Sequence, residues 1–478
     1  MNSRKILSLI LAGVILASSF IGCSENTVSD ESDAPVSSDS SSETVPIEET
    51  EDTYVYDSLE DQDFDGYEFR IIPAHSNHQY AIREEYTGEP LNDAIYQSNL
   101  AVMDRFNVKI VDVPGSGDEQ TRSMVAQAVQ ADDDAFDITL GHDNQTAYLG
   151  TGGYLHDLYE IPQFDFDQPW WPKNDRIAMT LEGKMYTASN YLSYAGLAMT
   201  RVMFVNKDLM EKNNLEVPYD VVREGKWTYD TFYTYLEGYA EDLNGDGQMP
   251  ADTDRFAFAA GFNSWYCLQE AADVNVYRHD DDGMLYIDMN QEKIAEFIEK
   301  SNKITNPNFY VRGDNMGADV FNSNRAMFAT TDLNDAYDSY RHTEITYGIL
   351  PCPKLNELQE EYINCCTDKL WGIPIHIGGE QLEIVGTICE ALSCSNFNIV
   401  IPAYFDVTMK SRIADTPDDS EMLQLIRDTR TVAFAYTFLQ PLHSIHSGSR
   451  NENVGSLVAK YESKIEKSLK IFKNNLPN

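Results

Sequence analysis

An alternation of strand and helix patterns that begins at Tyr67 constrains the fold of this chain more than any other feature. Residues 67–72 alternate apolar and polar side chains as a strand does, and Pro90 and Asn92 then begin a helix with apolar residues at helical spacing. A strand pattern at 108–113, a helix at 118–130 and a strand at 136–140 follow. This β-α-β-α-β order predicts a mainly parallel sheet with helices on both faces.

The rest of the chain continues the same pattern. Strands are predicted at 201–205, 256–260, 326–330, 345–350 and 370–375, and helices at 228–239, 291–304, 382–392 and 454–472. On the helix at 118–130, we expect Met124, Val125, Ala128 and Val129 to face the core. The fold class is therefore α/β, with about two domains expected for a chain of this length. Ligands of open α/β sheets bind beyond the carboxyl ends of the strands.

The N-terminal segment has the layout of an export signal. Arg4 and Lys5 precede a charge-free run from Ile6 to Ile21, which is shorter than the roughly 20 residues of a spanning helix. The run ends at Gly22-Cys23, and this ending resembles the bacterial lipobox. The resemblance implies that residues 1–23 are a lipoprotein signal peptide and that Cys23 carries the lipid. An ordinary secretory signal with a chance cysteine is the alternative, and both interpretations predict export.

Charge and cysteine content further limit the kinds of protein and partner that fit this sequence. Residues 24–65 are predicted to be a disordered linker, because the stretch from 24 to 68 has 16 acidic residues and no Lys or Arg. The net charge of −43 argues against nucleic acid as a partner, since such proteins need a basic surface. The seven cysteines lack C-x-x-C spacing, which favours buried free thiols and leaves disulfides open.

Several stretches of the sequence, in order, resemble the extracellular solute-binding proteins of carbohydrate ABC importers. The matching stretches are 88–96, 106–110, 136–140, 169–171, 202–209, 225–228, 325–329, 347–351 and 402–406. The resemblance implies a two-lobed, class II periplasmic-binding-protein-like fold whose α/β domains are joined by hinge crossings. Lobe I would comprise residues 66–197 and about 370–432, and lobe II residues 198–369 and about 433–478.

The same resemblance implies a function. A monomeric, lipid-anchored protein on the extracellular face of a Gram-positive cell membrane would capture a carbohydrate, as an oligosaccharide, and deliver it to an ABC permease by hinge closure. A surface glycoside-active enzyme and an adhesion or sensory module without a permease are the alternatives. The sequence contains no G-x-S-x-G, H-E-x-x-H or P-loop motif, so it gives the enzyme interpretation no support. It leaves open whether the ligand is a carbohydrate at all.

Sugar sites combine aromatic rings, which cover the apolar face of a pyranose, with polar side chains that bind its hydroxyls. Trp170 and Trp171 are aromatic but are expected to pack structurally. The predicted ligand-binding residues follow predicted strands or lie at the crossings implied by the family resemblance. They are Asp143, Asn144, Asn190, Tyr191, Trp265, Asp332 and Trp371.

A loop at 242–254 has part of a calcium-binding pattern. Oxygen-bearing side chains stand at its first, third and fifth positions and Gly247 at its sixth, as in an EF-hand loop, but Thr253 occupies the position of the bidentate Glu. Sugar-binding relatives with a similar loop imply a structural Ca²⁺, and no catalytic cofactor is expected. The predicted ligands are Asp242, Asn244, Asp246, Gln248 and Asp252. An acidic turn without a metal is the alternative.

Overall fold

Two separate β-sheets organise the chain. The computed structural model describes residues 54–75, 77–261, 264–280, 283–313, 316–367, 369–410, 416–439 and 454–477. The predicted signal peptide at 1–23, the lipidation site Cys23 and linker residues 24–53 lie outside these residues. In chain order the strands are β1 (Tyr67–Pro73), β2 (Val108–Asp112), β3 (Ile138–His142), β4 (Arg201–Asn206), β5 (Phe256–Gly261), β6 (Tyr277–His279), β7 (Leu285–Ile287), β8 (Tyr310–Gly313), β9 (Ala326–Asp332), β10 (Tyr347–Leu350), β11 (Asn364–Cys366), β12 (Lys369–Gly372) and β13 (Arg430–Val432).

The helices lie between these strands and after them. In chain order they are α1 (Pro90–Phe106), α2 (Asp118–Ala131), α3 (Asp143–Thr151), α4 (Lys173–Met179), α5 (Ala195–Ala198), α6 (Lys207–Lys212), α7 (Tyr219–Arg223), α8 (Tyr229–Thr234), α9 (Ser264–Ala271), α10 (Gln291–Ile304), α11 (Met316–Asn322), α12 (Glu380–Lys410), α13 (Pro417–Asp428), α14 (Phe434–Phe438) and α15 (Val454–Asn475). Short 3₁₀ helices cover Asn77–Tyr80, Leu158–Glu160 and Leu333–Ala336.

We call the sheet with the strand order β12-β3-β1-β2 and the helices packed on it lobe I, and the sheet with the order β10-β4-β9-β5-β8 and its helices lobe II. The predicted residue boundaries of the lobes stay a prediction. The strands β1, β2 and β3 are parallel, and so are β5, β8 and β9. The prediction of a mainly parallel sheet is wrong for β4, β10 and β12, which run antiparallel to their neighbours. The sheets are mixed.

The reversal of β4 and β12 follows from where the chain enters each lobe. Arg201, the first residue of β4, pairs with Asp332, the last residue of β9. Lys369, the first residue of β12, pairs with His142, the last residue of β3. A strand that enters a lobe at the edge where the other strands end can only run against them.

The crossings between the lobes lie side by side. β11 and β13 pair in parallel, and Thr200, which precedes β4, forms a bridge with Cys366 of β11. Asn364 of β11 donates from its side chain to Thr429 Oγ1 at 2.8 Å, and its Oδ1 accepts from the backbone N–H of Cys352 at 3.0 Å. We call β11 and β13 the hinge strands.

Helix α12 forms the long spine of lobe I and packs along α1. Its 31 residues extend well beyond the predicted range of 382–392. The segment Glu380–Phe405 is long and apolar enough to cross a membrane, but 78% of its apolar window is buried inside the protein, as in a core helix. A helix that is buried on most sides has no polar stripe, so the sequence pattern could not show its full length.

The predicted linker at 24–65 overlaps residues that pack on lobe I. The backbone N–H of Val55 donates to Asn398 Oδ1 at 2.9 Å, Asp57 pairs with Arg105 at 2.8 Å, and the ring of Phe64 stacks on that of Phe106. Residues 54–65 also contain apolar side chains that pack against the core. The acidic composition of the segment did not predict this packing. Residues 54–65 are therefore part of the folded body.

Other differences are local. Helix α8 ends at Thr234 instead of 239, and strands β6, β7, β8, β11 and β13 were not predicted. Met124 is 39% exposed instead of facing the core, whereas Val125 and Ala128 are buried. Short strands escape detection because three or four residues carry too little periodicity.

The tryptophan pair at 170–171 is structural, as predicted. Both side chains are buried, and their indole N–H groups donate to opposite oxygens of Glu390 on α12, at 2.8 Å from Trp170 and 2.9 Å from Trp171. Burial raises the pKa of Glu390 to about 7, while the two indole donors oppose the shift. One carboxyl group thus connects the loop before α4 to the spine of lobe I.

We expect Glu390→Ala to lower the free energy of unfolding by about 2–4 kcal/mol, because it leaves two buried N–H donors without an acceptor. Glu390→Gln keeps one acceptor, so its free energy of unfolding should lie between those of wild type and Glu390→Ala. Urea denaturation measures the difference. The exposed Glu383 on the same helix provides the control, Glu383→Ala. An equal loss in the two alanine variants would contradict the structural role.

Candidate ligand-binding cleft

The strand ends of the two lobes form the edges of a common site. His142 ends β3 and Lys369 begins β12 in lobe I, whereas Asp332 ends β9 and Arg201 begins β4 in lobe II. Burial raises the pKa of Asp332, and the charges of Arg201 and Lys369 oppose this shift, so the ammonium group of lobe I acts on the carboxylate of lobe II. Strand ends from both sheets therefore lie near one another, and we take the region between them as the candidate cleft.

An aromatic stack lies beside these strand ends. Tyr266 of α9 and Tyr436 of α14 stack with ring centroids 4.4 Å apart and planes 15° apart. The ring of His142 lies 6.5 Å from that of Tyr436. Tyr266 is buried, whereas Tyr436, His142 and Lys369 are partly exposed. We call His142, Arg201, Tyr266, Asp332, Lys369 and Tyr436 the cleft cluster.

The ion pair of the cleft cluster is only partly shielded from solvent. Arg201 Nη1 lies 3.1 Å from Asp332 Oδ1, with side-chain exposures of 11% and 26%. Burial raises the pKa of Asp332 to about 6, and the charge of Arg201 opposes this shift. Arg201 Nε is buried without a hydrogen-bond partner among the described residues. A buried donor at the edge of a cleft is available to a polar ligand that can reach it.

Asp143, a predicted ligand-binding residue, lies beside the cleft cluster but is fully buried. Its carboxylate lies 2.6 Å from His142 Nδ1 and accepts a hydrogen bond from Thr437 Oγ1 at 3.2 Å. Asp143 thereby links β3 to α14 and positions His142 and the neighbouring Tyr436. The predicted Asn144 is partly buried, and its Oδ1 accepts from the Gln145 amide at 3.0 Å.

Three other predicted residues lie inside lobe I. Trp371 is fully buried and donates from Nε1 to Asn190 Oδ1 at 2.9 Å, and Asn190 in turn donates to Ser393 Oγ at 3.0 Å. Tyr191 is buried, with the guanidinium carbon of Arg430 5.6 Å from its ring centre. In this structure these side chains are buried and contact other residues of the protein, and their contact with a ligand stays an untested prediction.

Asp332 is the one predicted ligand-binding residue that belongs to the cleft cluster. Trp265 lies next to Tyr266 in α9, and its side chain is outside the described part of the structure. Sequence reasoning missed Arg201, which begins a predicted strand, and Lys369, which immediately precedes one. Nothing in the sequence singled out Tyr436, because it belongs to a short helix that the periodicity did not predict.

The loop predicted to bind calcium caps its own backbone. Asp242 accepts from the N–H groups of Gly245 and Gly247, and these hydrogen bonds lower its pKa. Asn244 Oδ1 accepts from Asp246 N–H and Asp246 Oδ1 from Gln248 N–H, while Asp252 is exposed. Among the residues that the structure describes, no three His, Cys, Asp or Glu side chains are placed to hold a metal ion. Calcium binding stays a prediction from the sequence.

Comparison with known proteins identifies related sequences and folds. The profile of the family of bacterial extracellular solute-binding proteins matches residues 98–343. The GacH receptor of Streptomyces glaucescens, solved unliganded and with acarbose and an acarbose homolog, is 13% identical, with a TM-score of 0.54 over 85% of this chain and 99% of its own. An ABC substrate-binding protein of Listeria monocytogenes in complex with cycloalternan is 12% identical, with a TM-score of 0.54 over 85% of this chain and 100% of its own.

A third similar structure comes from a protein with a different ligand. UgpB of Mycobacterium tuberculosis in complex with glycerophosphocholine is 17% identical, with a TM-score of 0.51 over 85% of this chain and 98% of its own. No curated protein sequence matches the chain significantly. At these identities the structural similarity shows the fold, and it confirms the predicted two-lobed α/β architecture.

The raised pKa of Asp332 makes the stability of the protein depend on pH. The folded state binds this proton more tightly than the unfolded chain, where aspartate titrates near 3.8, so the contribution of Asp332 to stability falls as pH rises from about 4 to about 6. We expect the stability of Asp332→Asn relative to wild type to increase over that window, as measured by urea denaturation. Asp338→Asn, at an exposed position nearby, is the control. A pH-independent difference for Asp332→Asn would contradict the shift.

Proposed function

The chain belongs to the family of bacterial extracellular solute-binding proteins, and from that premise we propose that its ligand is a carbohydrate, bound at the cleft cluster. Members of this family bind solutes and are not enzymes, so the glycoside-active alternative is set aside. The remaining alternative, an adhesion or sensory module, is favoured by no contact in the described residues.

The observation that carries the proposal is the stack of Tyr266 and Tyr436 beside the ion pair of Arg201 and Asp332. A pyranose ring needs an apolar surface for its C–H face and charged or polar groups for its hydroxyls, and the cleft cluster offers both. Lys369 and His142 add two more polar groups from lobe I. Sugars are also among the ligands of two of the similar structures, which supports the proposal.

Delivery to a membrane permease would use hinge closure. The cleft cluster takes residues from both lobes, and the hinge strands between them are short and paired in a narrow ribbon. A ligand that contacts both lobes favours the closed arrangement because only that arrangement provides all of its contacts. In this proposal the permease recognises the closed form, so the protein signals occupancy by its shape.

We expect one class of carbohydrate in a panel of oligosaccharides to stabilise the protein. A ligand at 100 times its Kd should add about 2.7 kcal/mol to the free energy of unfolding, visible as a rise in melting temperature. Tyr436→Ala should weaken binding about tenfold or more in isothermal titration calorimetry, because it removes the partly exposed aromatic surface.

Tyr286→Ala is the matched control, since Tyr286 is 47% exposed on β7, outside the cleft cluster. Equal carbohydrate affinity of Tyr436→Ala and Tyr286→Ala would show that the cleft cluster is not the binding site. A panel in which no carbohydrate raises the melting temperature would overturn carbohydrate as the ligand class. Turnover of a stabilising glycan would revive the enzyme alternative.

Anchoring through Cys23 is a further part of the proposal. A lipid at the end of an acidic linker would hold the receptor near its permease, since the acidic chain itself has no affinity for anionic headgroups. We expect cells fed a labelled fatty acid to label the wild-type protein and not the Cys23→Ala variant. Ser19→Ala, within the same signal, should remain labelled. Unlabelled wild-type protein in the culture medium would favour an ordinary secretory signal instead.

A further inference from the structure

A second cavity lies near the hinge strands, and no residue of the cleft cluster lines it. Its volume is about 480 Å³, within the range of small-molecule sites. Its walls come from lobe I at Asn174 and Ile177, from lobe II between Glu270 and His279, and from the segments 361–363 and 428–435 that contain or flank the hinge strands. A molecule in this cavity would contact both lobes and the connection between them.

The most buried charged group of the cavity is Glu270 on α9, which is 5% exposed. Burial raises its pKa to about 7, although a hydrogen bond with Asn275 and the charge of Arg278 oppose the shift. Arg278 is held by another carboxylate, because its Nη1 lies 2.5 Å from Asp273 Oδ1. Lys293 also binds Asp273, at 2.6 Å. Glu270 therefore has no cation as a direct partner among the described residues.

Two aromatic rings line the cavity with this carboxylate. Tyr277 is 5% exposed, and its hydroxyl has no hydrogen-bond partner in the described part of the chain. Phe434 packs 5.0 Å from the ring of His279 and 6.3 Å from that of Tyr277. Aromatic faces attract cations, and they do so more strongly where water is excluded.

The remaining charges of the lining are also mostly negative. Glu361 and Asp428 are exposed residues of the lining, and Asp273 is a further carboxylate. Burial lowers the pKa of His279, so this ring is neutral at pH 7 and leaves Arg278 as the lining's only cation among the described residues. These carboxylates would repel an anion, whereas a bound cation would reduce the repulsion among them.

We propose that this cavity binds a small organic cation with a primary ammonium group, for which Glu270 is the ion-pair partner and Tyr277 and Phe434 form an aromatic wall. An ammonium group supplies a cationic partner for the carboxylate of Glu270, which has Asn275 as a neutral donor, and an N–H donor for the hydroxyl of Tyr277. This site is independent of the carbohydrate proposed for the cleft cluster, since the two share no residue.

The test is isothermal titration calorimetry of the mature chain with putrescine and ethylamine as ammonium probes, and with glycerol and acetate as neutral and anionic probes. Titrations at about 150 mM salt suppress general attraction of cations to an acidic protein. We expect saturable binding of an ammonium probe and no binding of glycerol or acetate. Glu270→Gln should weaken binding of the ammonium probe at least tenfold, because the substitution removes the charge of the side chain and keeps its shape.

Glu211→Gln is the matched control, since Glu211 is exposed on α6 and does not line the cavity. Ile177→Trp is a second, independent variant, because Ile177 is 43% exposed on the lobe I wall and a larger side chain there fills the cavity without changing any charge. Ile177→Trp should also abolish binding of the ammonium probe. If Glu270→Gln does not fold, Ile177→Trp still tests the proposal. Undiminished binding by either folded variant, equal binding of glycerol, or no saturable ammonium binding would overturn the proposal.

Discussion

The side-by-side arrangement of the crossing segments is the constraint on which the rest of the structure depends. Thr200 forms a bridge with β11, and β11 pairs with β13, where the chain passes between the lobes. Beside them, Arg430 of β13 pairs with Asp175 of α4, and both side chains are buried. A buried ion pair of this kind is costly to break, by about 3–5 kcal/mol, because a single charge would remain away from water. The pair therefore fixes β13 against lobe I.

Strand direction and site geometry both follow from this arrangement. Because β4 and β12 start at the crossings, they start beside the ends of β9 and β3 and run against them. The same geometry places the first residues of these strands, Arg201 and Lys369, at the edge where a ligand of an open α/β sheet binds. Two positive groups of a strongly acidic chain thus lie where a polar ligand would need donors.

Helix α9 connects the cleft cluster to the second cavity. Tyr266 near its start stacks in the cleft, whereas Glu270, four residues later, lines the cavity. In an α-helix, side chains four residues apart lie on the same face about one turn apart, so the two sites are close neighbours along one rigid element. The hinge strands also contribute to the surroundings of both, since Cys365 of β11 packs with Tyr266 while Thr431 and Val432 of β13 line the cavity. Any displacement of α9 relative to the hinge strands would change the positions of side chains at both sites.

The sequence by itself determined the α/β class, the positions of about half of the strands and helices, and the structural role of Trp170 and Trp171. These are local properties, set by apolar periodicity and by the size of the side chains. Among the predicted ligand-binding residues, Asp332 belongs to the cleft cluster, because its position at the end of a strand can be read from the sequence, and its contact with a ligand stays a prediction. Only the tertiary structure decided that Asn190 and Trp371 bind each other in the core, that residues 54–65 pack on lobe I, and that Tyr266 and Tyr436 meet. Those contacts join residues up to several hundred positions apart, and no local pattern encodes which distant partner a side chain will meet.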